Sequence, residues 1–190
     1  LKIKRIILFA SGTGSNVINV CDYFKNNKNI KVVALFCNKA DAPVLNKISP
    51  YQIPVHVFNK SQLLAEPTFL PLIQQYQPDL ICLLGFLQKI PVYLIKAYPN
   101  KIINLHPSLL PKFGGKGMYG MHVHEAVKAA NESETGITIH YINEHYDEGA
   151  IIKQFKTVVE PTDTPQSIAK KIADLEMKHV PKVIEELLQQ

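Results

Sequence analysis

Two runs in this chain, Ile6-Ile7-Leu8-Phe9-Ala10 and Leu80-Ile81-Cys82-Leu83-Leu84, are apolar at every position. A strand turns successive side chains to opposite faces, so a run with no polar face has to be covered on both sides. A parallel sheet between two helical layers provides that cover. Further strand-like runs at Lys31–Cys37, Val55–Phe58 and Lys101–Leu105 join Arg5–Ala10 and Asp79–Leu84. Helix-like segments Asn16–Asn26, Ala42–Ser49, Ser61–Tyr76 and Pro91–Tyr98 lie between them, the third interrupted by Pro67 and Pro71. Beyond these, the spacing predicts a helix over His122–Ala130 and extended stretches at Thr135–Ile142 and Ala150–Val158. A final amphipathic helix over Pro165–Leu188 is capped by Asp163 or Thr164. The expected fold is α/β: a three-layer Rossmann-like domain with a mostly parallel twisted sheet and a late antiparallel strand pair. Residues 1–190 read as a single domain.

The first strand runs into Ser11-Gly12-Thr13-Gly14-Ser15-Asn16, which opens the first helix. Glycines allow tight turning there, and the free N–H groups of a helix N-terminus attract anions. Side chains of Ser11, Thr13, Ser15 and Asn16 add hydrogen-bonding capacity, so Gly12, Thr13, Gly14, Ser15 and Asn16 form a candidate phosphate cradle. Val17 stands where a dinucleotide motif would have its third glycine, and the Walker lysine is absent. The alternative is an ordinary tight turn with Ser15 or Asn16 as the helix cap.

Asn104 and His106 close the strand-like run at Lys101–Leu105, and Pro107 ends it. Two residues apart on a strand, they share a face at the end where open parallel sheets bind ligands. An amide beside an imidazole suits the stabilisation of an oxyanion, which points to chemistry at a carbonyl. A polar cluster, Asn143-Glu144-His145-Tyr146-Asp147-Glu148-Gly149, separates the two late extended stretches. Asp147 near His106 would orient the ring and favour its charged form, whereas alone the cluster reads as a solvated hairpin loop. His140 lies on the face opposite Ile137, Ile139 and Tyr141, either toward the same cleft or as a satisfied histidine. His122 and His124 diverge on a helix and lack a third spaced ligand, so no metal centre is expected. Gly114–Gly120 follows no strand and reads as a mobile flap. Gly85-Phe86-Leu87-Gln88-Lys89-Ile90 follows an apolar strand at the same sheet edge and could hold a flat heteroaromatic ring, or be a simple connection.

Composition narrows the classes. The chain is 46% hydrophobic, but no stretch approaches the ~20 apolar residues of a membrane helix. The run after Lys2, Lys4 and Arg5 is shorter than the roughly 7–15 residues of a signal-peptide core. Cys21, Cys37 and Cys82 form no CxxC pair, which suits a reducing cytoplasm. The formal charge is +5, but the basic residues are scattered, so neither nucleic acid nor membrane is an expected partner. Small anionic substrates suit this balance.

Taken together, Ser11–Asn16, Gly85-Phe86, Asn104-x-His106-Pro107-Ser108-Leu109-Leu110-Pro111 and Asp147-x-Gly149 resemble the folate-dependent formyltransferase family over essentially the whole chain. The resemblance implies that Asn104, His106 and Asp147 are catalytic and that the glycine loop holds a substrate phosphate through Gly14, Ser15 and Asn16. It also implies that Glu176 contacts a glycinamide ribonucleotide. Leu87, Gln88, Lys89 and Ile90, with Asn143 to Asp147 and Asn104, match the formyl-folate pocket. The implied reaction passes the formyl group of 10-formyltetrahydrofolate to the amine of 5-phosphoribosylglycinamide in purine biosynthesis, without a metal, by a monomer or weak homodimer. The alternative is a deformylase, or another formyltransferase with the same catalytic set. Gln88 and Gln62 stand where family members often carry arginine, with Lys89 as a substitute for holding the folate tail.

Overall fold

The computed structural model describes residues 2–190. Its strands are β1 (Lys4–Ala10), β2 (Ile30–Cys37), β3 (Val55–Val57), β4 (Leu80–Leu83), β5 (Ile102–His106), β6 (Glu134–Tyr141) and β7 (Ile151–Val158). Its helices are α1 (Ser15–Phe24), α2 (Val44–Lys47), α3 (Lys60–Leu64), α4 (Glu66–Gln74), α5 (Val92–Ala97), α6 (Met121–Ala129) and α7 (Pro165–Gln189). The strands form one sheet in the order β3-β2-β1-β4-β5-β6-β7. Pairs among β1 to β5 are parallel, while β5–β6 and β6–β7 are antiparallel.

The unbroken apolar runs are explained by the two layers. In β1, Ile6, Leu8 and Ala10 face α1, α6 and α7, through Val17, Val20, Val123, Ile168 and Ile172. Ile7 and Phe9 face the other way, onto Leu63, Phe69, Ile73 and Leu94 of α3, α4 and α5. That second layer is aromatic: Phe9 stacks on Phe36 with ring centroids 5.1 Å apart and meets Phe86 edge-on at 5.2 Å. Burying a side chain of this size contributes about 1.5–3 kcal/mol. Here the burial also pins the segment after β4, which carries Gly85 and Leu87, to the core.

The chain leaves β1 toward β2 and β3 on one side, then crosses to β4 and β5 on the other. β1 and β4 therefore flank the switch point, where an open sheet leaves a crevice at the strands' carboxyl ends. The antiparallel β5–β6 register sets Asn104 opposite His140 and His106 opposite Thr138, and cross-strand partners share a face.

The segment expected as one helix over Ser61–Tyr76 is two. Ala65, at φ −84° and ψ 78°, leaves the helical region, and Pro67 sits in the first turn of α4, where its missing N–H costs nothing. Asn59 caps α3 in a reciprocal pair with Gln62, the Asn59 N–H donating to Gln62 Oε1 at 2.8 Å. Ala42–Ser49 shortens to α2 followed by a 3-10 turn at Ser49–Tyr51. Thr164 is the cap of α7.

Candidate active site

A cavity of about 710 Å³ opens at the carboxyl ends of β1, β4 and β5, within the range of small-molecule sites. The glycine loop forms part of its wall, with Gly12, Thr13, Gly14, Ser15 and Asn16 all lining it. Gly14 occupies the cap position of α1 at φ +70° and makes no side-chain cap, in place of the expected Ser15 or Asn16. The reason is steric as well as conformational: a Cβ on Gly14 would lie 2.1 Å from Val44 Cγ2. Among the described residues, none of the N–H groups from Gly12 to Asn16 donates to a protein backbone acceptor. Uncapped, the loop presents a run of donors, the arrangement that binds phosphate.

Ser11 is not part of that cradle. Its hydroxyl donates to Asn38 Oδ1 at 2.6 Å and accepts the Leu87 N–H at 3.0 Å, tying the ends of β1, β2 and β4 together. Asn16 Nδ2 donates to Glu176 Oε2 at 2.8 Å, which brings α7 to the loop. Burial pushes the Glu176 carboxyl up from its ordinary value, and the Asn16 hydrogen bond opposes that.

Asn104, His106 and Asp147 all line the same cavity. His106 is 4% exposed; its Nε2 donates to the Phe113 carbonyl at 2.8 Å, and its Nδ1 faces Asp147 Oδ2 at 3.5 Å. Both ring nitrogens thus face acceptors, which suits the form with two N–H donors. Phe113 and Asp147 both sit at φ +54°, in the left-handed region, so the two groups that hold this ring rest on strained backbone. Asp147 Oδ2 also accepts the Gly115 N–H at 2.9 Å, anchoring the 114–120 loop beside that carboxylate. Gly149 follows closely because a Cβ there would lie 1.7 Å from the Tyr141 carbonyl oxygen.

His140 turns toward the cleft. Its Nδ1 donates to the Tyr141 carbonyl at 2.8 Å, which leaves Nε2 as an acceptor for Asn104 Nδ2 at 3.1 Å. Burial pushes this imidazole down, keeping it neutral as that role requires. The second Asn104 N–H reaches Asp147 Oδ1 at 3.4 Å, a long contact. Two donors, one from Asn104 and one from His106, therefore look loosely across at Asp147.

Several supporting groups carry no motif. Thr138, fully buried on β6, donates to the Ser108 carbonyl at 2.6 Å and accepts from the Leu110 N–H at 3.0 Å. Gln154 Nε2 on β7 reaches Thr138 Oγ1 and the Leu110 carbonyl, both at 2.9 Å. This network sets the 107–113 turn that brings the Phe113 carbonyl to His106. Of the histidines on α6, His122 points outward, while His124 is buried against the cavity with no partner on Nδ1. The only sequence signal for these groups was polarity inside an apolar pattern.

The proposed folate positions divide. Leu87 and Asp147 line the cavity, as does Tyr146. Ile90 is buried in the aromatic layer. Lys89 sits over the Tyr146 ring, 5.6 Å from its centroid, and Asn143 accepts the His145 N–H at 2.9 Å. Gln88 Oε1 is buried without a partner, and Gln62 is occupied as the α3 cap. None of Gln88, Lys89, Ile90 and Asn143 belongs to the cavity wall.

A family model described as formyl transferase matches residues 4–184. The chain belongs to that family. It is 35% identical over 191 residues to the phosphoribosylglycinamide formyltransferase of Bacillus subtilis, covering 98% of this chain and 95% of that one. It is 38% identical over 181 residues to the chloroplastic phosphoribosylglycinamide formyltransferase of Arabidopsis thaliana, covering 92% of this chain. The chain spans 62% of the length of that relative, and likewise of the one from Vigna unguiculata. Among solved structures, glycinamide ribonucleotide transformylase 1 of Geobacillus kaustophilus superposes with a TM-score of 0.88 at 32% identity, covering 98% and 99% of the two chains. The Rossmann-like architecture expected of the sequence is thus the family's own.

Proposed function

We propose that this protein transfers the formyl group of 10-formyltetrahydrofolate to the amine of 5-phosphoribosylglycinamide. One observation carries the reading: Asn104, His106 and Asp147 line the same cavity as a loop of unpaired N–H groups. The loop holds the acceptor's phosphate, and Glu176, hydrogen-bonded to Asn16, lies where the ribose would follow. Anchoring at a distance orients the amine and converts the encounter into an effectively intramolecular step. Apolar Leu84 and Phe86, with Leu87 and Tyr146, supply walls for a flat ring system.

As the amine nitrogen bonds to the formyl carbon, Asn104 and His106 donate to the carbonyl oxygen that gains charge. Such donors are each worth about 3–4 kcal/mol in the transition state. Asp147 stabilises the charged His106 ring and relays the proton leaving the amine toward the departing folate nitrogen, through water. His140 takes one Asn104 N–H and so holds the amide with its other N–H toward Asp147 and the cavity. The same reading takes residues 1–190 as one catalytic domain, acting as a monomer or weak homodimer. Three free, buried thiols suit a reducing cytoplasm, and we place the reaction there.

Incubating the purified protein with formyl-folate, with and without the ribonucleotide, tests the assignment. Formylated ribonucleotide and tetrahydrofolate in equal amounts support it. Formate released without the acceptor indicates a deformylase instead, and no consumption of formyl-folate sinks both readings.

A further inference from the structure

The glycine loop is neutral, and a carboxylate is hydrogen-bonded to it from the cavity side. Among the described residues lining the cavity, Asp147 and Glu176 are carboxylates and Lys116 is the one lysine or arginine. A phosphate monoester brings about 1.5–2 negative charges at neutral pH, whereas a helix N-terminus offers the equivalent of about half a positive charge. Loop and helix alone leave a deficit, which Glu176, bonded to Asn16 of the same loop, deepens.

The missing charge lies behind the loop. The Lys47 ammonium, on α2, donates to the Thr13 carbonyl at 2.9 Å. α2 is fixed in that place by two further contacts: the Val44 N–H donates to the Gly12 carbonyl at 3.2 Å, and the Val44 side chain occupies the space a Gly14 Cβ would need. Lys47 takes part in none of the ion pairs among the described residues, so no carboxylate neutralises it locally. In a trans peptide the carbonyl oxygen and the following N–H point in opposite directions. The Thr13–Gly14 unit therefore shows its oxygen to Lys47 and turns the Gly14 N–H away from it, and Gly14 lines the cavity. A cation on the oxygen strengthens the N–H of the same peptide as a donor, as hydrogen bonds in a chain polarise one another.

We propose that Lys47 is a positioning residue for the substrate phosphate, charging the glycine loop from behind through the Thr13–Gly14 peptide. The identity of the bound ribonucleotide rests on the function proposed above; the role of Lys47 needs only a phosphate in the loop. Lys47 does so without touching the ligand.

Calorimetric titration with inorganic phosphate, with 5-phosphoribosylglycinamide and with its dephosphorylated nucleoside separates the two claims. Lys47→Gln keeps a donor for the Thr13 carbonyl but removes the charge, and Lys47→Arg keeps both. The dissociation constants for phosphate and for the ribonucleotide rise about three- to fivefold in Lys47→Gln, the upper part of the scale for an exposed charge near a helix end. They stay within about twofold in Lys47→Arg, and the nucleoside is bound alike by all three proteins. Unchanged phosphate affinity in Lys47→Gln, an equal loss for phosphate and nucleoside, or a wild type that binds no phosphate overturns the role of Lys47. Phosphate binding that depends on the charge, in a protein that ignores the ribonucleotide, upholds Lys47 and removes the acceptor assignment instead.

Discussion

Asp147→Asn removes a charge while preserving shape, and its cost can be worked from the site. Asp147 Oδ2 lies 3.5 Å from His106 Nδ1, and the two side chains are 13% and 4% exposed. At that separation, with an effective dielectric constant near 20, a charged ring and a carboxylate attract by about 5 kcal/mol. Residual solvent and relaxation reduce this, so about 3–5 kcal/mol of stabilisation for the charged ring disappears with the substitution. If transfer requires that form in the transition state, the rate falls by about 10²–10⁴, at 1.36 kcal/mol per factor of ten. The asparagine retains an oxygen for the Gly115 N–H, now at 2.9 Å from the carboxylate, so the 114–120 loop keeps its anchor. Turnover at saturating substrates, followed by the absorbance of the folate product, measures the loss, and thermal unfolding shows whether the fold survives. A variant that folds and turns over within about tenfold of the wild type would refute the electrostatic role assigned to Asp147.

The other perturbations act on separate parts of the molecule. Asn104→Ala should slow transfer by at least about 10²-fold with unchanged circular dichroism, as expected for losing one oxyanion donor; near-normal turnover removes the amide from the mechanism. Gly14→Ala must accommodate φ +70° and a 2.1 Å approach to Val44, so denaturant titration should show a loss of about 1–3 kcal/mol with weaker ribonucleotide binding. Thr138→Val leaves the Leu110 N–H and Gln154 without their buried partner and should cost about 1–3 kcal/mol in the same measurement. Asp163 tests acid stability: Lys171 first, then Ser167 and the Glu160 N–H, hold its carboxyl at about 2 rather than the ordinary 3.8. A folded-state value below the unfolded one adds stability above about pH 4 that is lost as pH falls through about 2. Asp163→Asn should therefore be less stable at neutral pH and lose less between those limits; a wild-type acid profile in the variant contradicts the assignment.

Much of this protein was legible before any coordinates. Continuous apolar runs announce a doubly covered sheet because side-chain alternation is a local property, and the strands lie within a residue or two of where the pattern puts them. Glycines after a strand and before a helix mark the uncapped loop at the start of α1 for the same kind of reason. Asn104 and His106 declare themselves together, two positions apart at a strand's end. Pro67 marks where the third helix fails, whereas Pro71 lies inside α4 without ending it, and the pattern does not show that Asn59 and Gln62 cap the first half.

What the chain could not disclose alone is which distant groups meet. His140 joins Asn104 across 36 positions, Asn16 joins Glu176 across 160, and Lys47 reaches Thr13 across 34. Each contact depends on strand register and helix placement, which the whole core sets. The tautomer of His140, the engagement of the Ser11 hydroxyl with Asn38 and Leu87, and the burial of Ile90 follow from those placements. Periodicity belongs to neighbours along the chain and can be read one segment at a time. The active site belongs to neighbours in space, and only the packed sheet decides who they are.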